Sequence, residues 1–436
     1  MLQCGMYETV ITPPIGSSIP GYLTERKNTH TIDDLYAKAL VLATDSSTLA
    51  LVVLDALYVR KSESDRIRER VEQFTGIPRQ HIMVSATHTH TGGPIRPGFD
   101  QSLNASYLDY MVERAADAVI QAYNERRPAT MGLGIGYEHE ISFNRRYYMA
   151  DGTVRTNPGF QHPQLDRPTG PIDPEVLVVR LDDENGKPIG VVTNFACHTD
   201  TVGGTGICAD FPGELSRSLK GALGERVVSL FVLGACGNIN HLDFTKPAFS
   251  IQPEHYRKMG RILAAEVLRT REKIEMIAQQ QQQQSTLPIA ALHSEFELVY
   301  RMPDAAAVAD AERTLQSANA SVADRFFAEE LLYVKNNPID SVPIEIQVFR
   351  LADLVIAGLP GEIFVEFGLS IKQSSPFAYT MINTLCNSST TGYVCTRDAF
   401  VQGGYEPKLR NVHRNPPQAG EWFVEHAVRL IRGLDA

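Results

Sequence analysis

The feature that most constrains the fold of this chain is an alternation of β-prone apolar runs with amphipathic helical stretches. Leu49–Leu54 is apolar throughout, Ser62–Thr75 carries apolar residues at helical spacing before Gly76, and His81–Ala86 is again largely apolar. Short apolar runs are typical of buried strands, and a period near four residues is typical of a helix. The pattern predicts strand–helix–strand units and therefore an α/β fold with mixed β-sheets flanked by helices.

The chain is predicted to form a single large domain over residues 1–436. No internal repeat is present, and six consecutive glutamines at residues 279–284 predict a solvated linker rather than a domain boundary. A helical insert is predicted at about residues 303–335. The Pro- and Gly-rich stretch that follows Tyr148 and runs to Pro174 has no periodicity of its own, which predicts a functional loop or a lid.

Charge and composition exclude several classes of protein. The chain has 41 basic and 51 acidic residues, a net charge of −10, and no long basic cluster, so a nucleic-acid partner is not expected. No apolar run reaches the ~20 residues that a transmembrane helix needs, and the N-terminus lacks the pattern of a signal peptide. Six cysteines in a chain of this length do not indicate a disulfide framework. We therefore expect a cytoplasmic protein, whose oligomeric state the sequence does not indicate.

His88 and His90 lie where the strand His81–Ala86 gives way to a Gly-Gly-Pro turn. Side chains two residues apart on a strand point to the same face. Open α/β folds place their chemistry at such strand ends. The pair fits a metal or catalytic site, and it also fits two loop histidines that bond to backbone.

Two more β-prone runs end in groups that bind metals. His198 follows the run Pro188–Ala196, and Glu362 follows the run Leu354–Leu359. Two histidines and one glutamate form a known zinc set that leaves a position open for water. Taken singly, His198 fits a core histidine and Glu362 fits the first turn of a helix. Asp55, directly after an apolar run, fits either a functional group or a helix cap.

The order of these motifs resembles the neutral/alkaline (non-lysosomal) ceramidase family. The segments that carry the resemblance are Ala86–Pro94, Phe143–Arg145, Asn194–His198, Ala209–Gly213, Pro360–Glu362 and Gly392–Val394. Their order and approximate spacing hold from about residue 7 to the C-terminus. In that family the catalytic domain binds zinc and hydrolyses the amide bond of an N-acylated sphingoid base. The resemblance implies that this chain has the same catalytic-domain fold.

Roles for individual residues follow from the resemblance. The zinc ligands that it implies are His88, His198, Glu362 and Tyr393. It also implies that His90 and Arg145 face the substrate carbonyl and stabilise the oxyanion, which is where positioned donors contribute most to catalysis. The residues alone leave Arg145 as a possible ion-pair arginine and Tyr393 as a possible buried aromatic. Candidates for orienting the ligands are Asp55, Asp210 and Tyr405.

Two departures from the family pattern bear on mechanism and substrate. The family's Ser-containing segment reads Leu233–Asn238 here and holds no serine, so zinc-activated water is favoured over a serine acyl-enzyme. Cys236 in that segment is predicted to be a buried structural thiol. Since the sequence ends after a predicted helix, Glu421–Arg432, we expect no counterpart of the C-terminal immunoglobulin-like domain of larger ceramidases, and this favours a smaller amide as substrate at least as much as ceramide.

The sequence therefore predicts a zinc-dependent hydrolase of a carbon–nitrogen amide bond. Its substrate would be ceramide or a smaller, soluble N-acyl amide. Two alternatives remain open at this stage. One is an esterase or lactonase that uses the same metal, and the other is a non-catalytic relative that binds metal or ligand.

Overall fold

The computed structural model describes residues 1–95, 101–248, 252–274, 288–387 and 392–435, with only the backbone described at 101–104. The helices are α1 (Lys61–Thr75), α2 (Gln101–Asn124), α3 (Asp210–Leu223), α4 (His255–Lys273), α5 (Ala305–Gln316), α6 (Val322–Asn336), α7 (Val365–Ser374), α8 (Arg397–Gln402) and α9 (Ala419–Gly433). The predicted glutamine linker, residues 279–284, lies outside the described residues.

The strands alternate with these helices along the chain. They are β1 (Gln3–Val10), β2 (Ser18–Ile19), β3 (Arg26–Lys27), β4 (His30–Thr31), β5 (Tyr36–Ala43), β6 (Thr48–Leu54), β7 (Ile82–Ala86), β8 (Arg127–Tyr137), β9 (Phe143–Asn144), β10 (Arg146–Met149), β11 (Val154–Thr156), β12 (Leu165–Pro168), β13 (Glu175–Asp183), β14 (Pro188–Phe195), β15 (Gly206–Ile207), β16 (Val228–Leu233), β17 (Ile239–Asn240), β18 (Ile289–Val299), β19 (Ser341–Leu351), β20 (Leu354–Gly358), β21 (Glu362–Ile363), β22 (Tyr379–Asn383) and β23 (Tyr393–Val394). The predicted α/β fold with mixed sheets and flanking helices is confirmed.

The largest sheet has eight strands in the order β16-β14-β13-β8-β1-β5-β6-β7. It divides into two halves, because β1 and β8 share only the pairs Gln3↔Pro128 and Cys4↔Arg127. Apolar side chains of both halves form one core cluster, so the halves face each other. Gly190 of β14 shows how closely they pack, since a Cβ there would lie 2.2 Å from the Met6 sulfur of β1.

Helices cover the outer face of each half. Alternate residues of β5 and β6, such as Val41 and Val52, pack against α1 and α2. On the other half, β13, β14 and β16 pack against α3 and α4 through residues such as Phe211 and Leu263. The sheet halves thus lie between two helical layers, and their central strands, such as β5, β6, β14 and β16, are buried on both faces. Among the described residues, no helix is long and apolar enough to cross a membrane.

The second half of the chain adds a four-stranded sheet in the order β18-β19-β20-β22. Helices α7 and α9 pack beside it around a core that includes Phe364 and Phe423. Helices α5 and α6 pack against each other and occupy the stretch where the helical insert was predicted.

The predicted loop or lid between Tyr148 and Pro174 is wrong in its local structure. Strands β10, β11 and β12 form a three-stranded antiparallel sheet there. Tyr147 and Met149 bury their side chains against Phe244, which gives this small sheet a core of its own. The sheet packs beside the candidate site rather than standing as a structureless loop.

Three parallel strand pairs border the site, the first two through their carboxyl ends and the third through its amino end. They are β6/β7, β14/β16 and the two-residue pair β21/β23. His88 follows β7, His198 follows β14, and Glu362 lies directly opposite Tyr393 across β21/β23. Strand ends from distant parts of the chain therefore supply all four predicted ligand side chains.

Candidate metal centre and active site

His88 lies two residues beyond β7, in an unusual backbone conformation. Its φ is 71°, in the left-handed region that few non-glycine residues adopt. The His88 N–H donates to the Ala56 carbonyl at 2.9 Å, which fixes this turn against the end of β6. Strained backbone of this kind persists where surrounding structure enforces it, and it concentrates at functional sites.

Backbone carbonyls fix the tautomers of His88 and His198. The His88 Nδ1 lies 2.7 Å from the Leu57 carbonyl oxygen, and the His198 Nδ1 lies 2.8 Å from that of Cys236. A carbonyl oxygen only accepts hydrogen bonds, so each Nδ1 carries the proton and donates it. Burial, and after it the charge of Arg145, lower the pKa of His198 to about 4, so this ring is neutral near pH 7. The neutral His198 ring then presents an unprotonated Nε2, and the His88 Nε2 is the ring nitrogen that the backbone carbonyl leaves free for the site.

These two Nε2 atoms meet the carboxylate of Glu362. The Nε2 atoms lie 3.2 Å apart, and the Glu362 Oε2 lies 3.3 Å from each of them. Oε2 is buried and has no hydrogen-bond partner among the described residues. Three lone-pair atoms that face one another without a proton between them repel each other, and a cation among them removes that repulsion. The donor set therefore fits a metal ion.

His90 lies close to the same point. Its Nε2 is 3.4 Å from the His88 Nε2, and one ligand atom from each of His88, His90 and His198 falls within 4.8 Å of the others. Its Nδ1 lies 3.6 Å from the Asp200 carboxylate without a hydrogen bond. Burial and then His88 lower the pKa of His90 well below its usual value, so the ring is neutral. Distances alone fit His90 as a ligand too, and its separate role stays a prediction.

Tyr393 is buried beside these groups. It pairs with Glu362 across β21/β23, and its ring stacks on that of His198 with centroids 6.5 Å apart. The guanidinium carbon of Arg145 lies 5.4 Å from the centroid of the same ring. The phenol therefore adjoins both the metal ligands and a cation, and its place in the coordination sphere remains a prediction.

Arg145 is a buried ion-pair arginine close to Tyr393. Its Nε donates to Glu406 at 2.9 Å and its Nη2 donates to the Gly237 carbonyl at 2.7 Å. Glu406 is fully buried and also accepts from Arg146, at 2.7 Å. Burial would lower the pKa of Arg145, but Tyr393 and Glu406 outweigh it and raise the pKa, so the guanidinium stays charged. Rigid anchoring leaves this cation at a fixed place beside Tyr393.

Asp55 and Asp210 contact the backbone near the histidines rather than their rings. Asp55 accepts from the Tyr36 N–H and from the Thr87 hydroxyl, one residue before His88, and it caps no helix. Burial raises the pKa of Asp55 to about 6. Asp210 accepts from the backbone N–H groups of Thr201 and Val202, in the loop that follows His198. Both carboxylates thus hold loops, and the direct ring partners are the carbonyls of Leu57 and Cys236.

Tyr405 and Cys236 have structural surroundings. The Tyr405 ring lies 5.9 Å from that of Tyr393, and its hydroxyl accepts from Arg410 at 2.9 Å. The Cys236 thiol is buried, and burial raises its pKa, so it carries no thiolate near pH 7. The prediction of a buried structural thiol agrees with this environment.

One cavity is lined by His88, His90, Glu362 and Tyr393. Its lining residues are Gly21, Tyr22, Leu23, Leu57, Tyr58, His88, His90, Phe326, Glu330, Glu362, Gly392, Tyr393, Tyr405, Arg410 and Val412. An adjoining space shares several of these residues and adds Arg145 and Asp200. The lining combines apolar side chains such as Leu57 and Phe326 with polar and charged ones such as Glu362 and Arg410, as binding sites for amphipathic small molecules do.

Sequence reasoning did not find four residues of this site. They are Tyr22, Asp200, Glu406 and Arg410. The Tyr22 hydroxyl donates to Asp200 at 2.8 Å, so these two residues form one wall beside His90. Asp200 follows His198 in the same strand-end segment, and this proximity is the one signal that could have identified it.

Comparisons with known proteins point to one family. Residues 3–210 match the family described as neutral/alkaline non-lysosomal ceramidase, N-terminal. Neutral ceramidase B of Dictyostelium discoideum is 22% identical over 182 residues, which cover 39% of this chain and 24% of that protein. The resemblance to the neutral/alkaline ceramidase family is confirmed. The alignment with neutral ceramidase B spans about a quarter of that protein's length.

Solved ceramidase structures share the fold over nearly the whole chain. The crystal structure of neutral ceramidase from Pseudomonas aeruginosa aligns with 99% of this chain and 75% of its own, with a TM-score of 0.73 and 17% identity. A ceramidase complexed with C2 gives the same coverage, TM-score and identity. The neutral ceramidase fold therefore extends beyond residue 210, through the part of the chain that supplies Glu362 and Tyr393.

Proposed function

We propose that this chain is a zinc-dependent hydrolase that cleaves the amide bond of an N-acyl substrate. The observation that carries the proposal is the convergence of the His88 Nε2, the His198 Nε2 and the Glu362 Oε2 at one point of the cavity. Zinc held there by His88, His198, Glu362 and Tyr393 would supply a Lewis acid and make hydroxide available near neutral pH.

Arg145 and His90 would act on the substrate carbonyl. Arg145 is held by Glu406 and the Gly237 carbonyl, so its charge needs no reorganisation when negative charge develops on the carbonyl oxygen. Neutral His90 carries one ring proton, which it can donate as a hydrogen bond to that oxygen, while its unprotonated ring nitrogen can accept the proton of the attacking water and pass it to the leaving nitrogen. The Asp200 carboxylate lies 3.6 Å from the His90 Nδ1 and favours the tautomer with the proton on Nδ1. A substrate oxygen close to Nε2 would favour the other tautomer.

The substrate class follows from the family and from the cavity. The apolar lining residues, including Leu57 and Phe326, suit an acyl chain, while the polar lining residues suit an amide. The matched relatives are named as ceramidases, which supports an N-acyl amide as substrate. We propose ceramide or a smaller N-acyl amide as the substrate, and a cytoplasmic location for the reaction.

Chelation provides the first test of this function. The purified protein is expected to contain about one zinc per chain and to hydrolyse an N-acyl amide such as N-octanoylethanolamine. Dialysis against dipicolinate should remove metal and activity together, and added zinc should restore both. Metal content is measured by inductively coupled plasma mass spectrometry, and amine release is measured by chromatography.

Dipicolinate already saturated with zinc is the control, and it should leave activity intact. Hydrolysis that persists in metal-free protein would contradict the proposal. Cleavage of the matched octanoyl ester without cleavage of the amide would point to the esterase. Zinc without hydrolysis of either compound would point to a non-catalytic relative.

A further inference from the structure

Arg410 differs from the other buried arginines of the described residues. The buried arginines are Arg68, Arg145, Arg146, Arg271, Arg410 and Arg414. Carboxylates pair with four of them: Glu345 with Arg68, Glu406 with Arg145 and Arg146, and Asp182 with Arg271. Arg414 instead donates to three oxygen atoms of Asn337 and Asn411. Arg410 has neither arrangement.

The Arg410 guanidinium has one hydrogen-bond acceptor in the part of the chain that the structure describes. Its Nη1 donates to the Tyr405 hydroxyl at 2.9 Å, and its buried Nε has no partner. Its Cζ lies 4.6 Å from the ring centroid of Tyr405, 5.5 Å from that of Tyr393 and 5.8 Å from that of Phe327. Ring faces attract a cation, but they do not satisfy the planar set of N–H donors that a guanidinium presents. Buried charges are ordinarily paired, so this site calls for an anion.

The guanidinium of Arg410, which no carboxylate pairs with among the described residues, lies in the wall of the cavity in which the substrate would bind. Arg410 is 7% exposed and lines the cavity that holds Glu362 and the histidines. Arg145 and Arg410 lie at similar distances from the Tyr393 ring, 5.4 and 5.5 Å. Glu406 compensates Arg145, whereas no described carboxylate pairs with Arg410. An anion bound to Arg410 would therefore lie only a short distance from the scissile amide.

The acidic residues of the cavity have other partners. Glu362 faces His88 and His198. Glu330 accepts a hydrogen bond at 2.9 Å from the backbone N–H of Asn411, the residue that follows Arg410. The anion is therefore expected to come from the ligand.

We infer that Arg410 binds a carboxylate of the substrate, so that the preferred substrates are N-acyl amides whose amine portion carries a carboxylate near the scissile bond. This inference rests on the proposed amide hydrolysis at the same site. A guanidinium matches a carboxylate with two parallel N–H donors. The apolar lining residues take the acyl chain, which leaves the charge to the amine portion.

Two amides that differ in one group test this inference. N-octanoylglycine carries a carboxylate where N-octanoylethanolamine carries a neutral hydroxymethyl group. The wild-type protein should prefer the glycine conjugate in kcat/KM by roughly 10- to 100-fold, the range of a charge-assisted hydrogen bond. Arg410→Gln should bring this ratio close to one, mainly through a higher KM for the glycine conjugate, and Arg410→Lys should keep part of the preference.

Lys408→Gln is the matched control. Its ammonium lies 4.1 Å from the ring of Phe327, the ring that Arg410 also contacts, yet Lys408 is exposed and does not line the cavity. This variant should keep the wild-type ratio. A ratio that Arg410→Gln leaves unchanged, in protein that unfolds at the wild-type temperature, would overturn the inference.

Calorimetry separates this inference from the proposed function. N-octanoylglycine should bind wild-type protein and should bind Arg410→Gln at least about tenfold more weakly. If wild-type protein hydrolyses neither amide, the proposed function fails, while this difference in binding would still support an anion site at Arg410. Equal binding of N-octanoylglycine to both proteins would overturn that site. Hydrolysis of both amides with equal kcat/KM by wild-type protein would overturn the inference and leave the proposed function standing.

Discussion

Replacing Glu362 with glutamine is expected to abolish hydrolysis and to remove most of the bound zinc. The Glu362 Oε2 lies 3.3 Å from the Nε2 atoms of both His88 and His198, where it would supply the negative charge of the ligand set. A glutamine keeps the shape of the side chain but removes that charge, and its amide group is a poor zinc ligand. Zinc per chain should fall well below one, and amide hydrolysis should fall to the level of chelated wild-type protein.

Glu366→Gln is the matched control for this change. Glu366 lies four residues further along the chain, in the first turn of α7, and its carboxylate accepts from the side chain of Asn238. A glutamine oxygen can still accept that bond, so zinc content and hydrolysis should stay near the wild-type values. Full zinc occupancy and full activity in Glu362→Gln would remove Glu362 from the ligand set.

Replacing Arg145 with methionine is expected to lower kcat by about 10²–10³-fold, the usual effect of removing one donor to an oxyanion. Zinc content should stay unchanged, because Arg145 is not one of the proposed ligands. The buried Glu406 would keep its ion pair with Arg146, at 2.7 Å, which limits the structural damage. Steady-state kinetics on an N-acyl amide, together with metal analysis and thermal unfolding, measures this effect.

Arg155→Gln is the control for a general effect of losing positive charge, since Arg155 is exposed and lies in strand β11 of the neighbouring small sheet. It should leave kcat unchanged. A transition-state donor lowers kcat and kcat/KM together. An Arg145→Met protein with wild-type kcat and a raised KM would show instead that Arg145 binds the ground state.

Local signals were enough to predict much of the fold. The helical spacing before Gly76 predicts α1, and Gly76 ends that helix with a φ of 74°. The polar stretch between the apolar runs Ala37–Ala43 and Leu49–Leu54 predicts a hairpin, and β5 and β6 pair in register from Ala37↔Leu54 to Ala43↔Thr48. Turn chemistry and periodicity act over a few residues, so a single sequence displays them.

Tertiary contacts decide the parts that sequence reasoning missed. Strands β11 and β12 have three and four residues, and β12 ends in Pro168, so the sequence there has the composition of a loop. Strand β10 holds them in place, and Arg146 within it pairs with Glu406, 260 residues away. A strand formed by such a distant contact leaves no local pattern.

The candidate site shows the same limit. Ligand-type side chains at strand ends could be found one by one, but their convergence depends on how the sheet halves face each other. The groups that orient His88 and His198 are backbone carbonyls of Leu57 and Cys236, and every residue has a carbonyl. The separate roles of His88 and His90 come from the family resemblance, since their Nε2 atoms lie only 3.4 Å apart.

Anomalous diffraction at the zinc absorption edge, from crystals of the purified protein, tests the central claim most directly. We expect one strong peak at about 2.0–2.2 Å from the Nε2 atoms of His88 and His198 and from a carboxylate oxygen of Glu362. The Tyr393 hydroxyl should complete the ligand set, and His90 should lie outside it. The absence of a peak would contradict a metal centre, and a peak bound by His88, His90 and His198 with Tyr393 uncoordinated would contradict the ligand assignment.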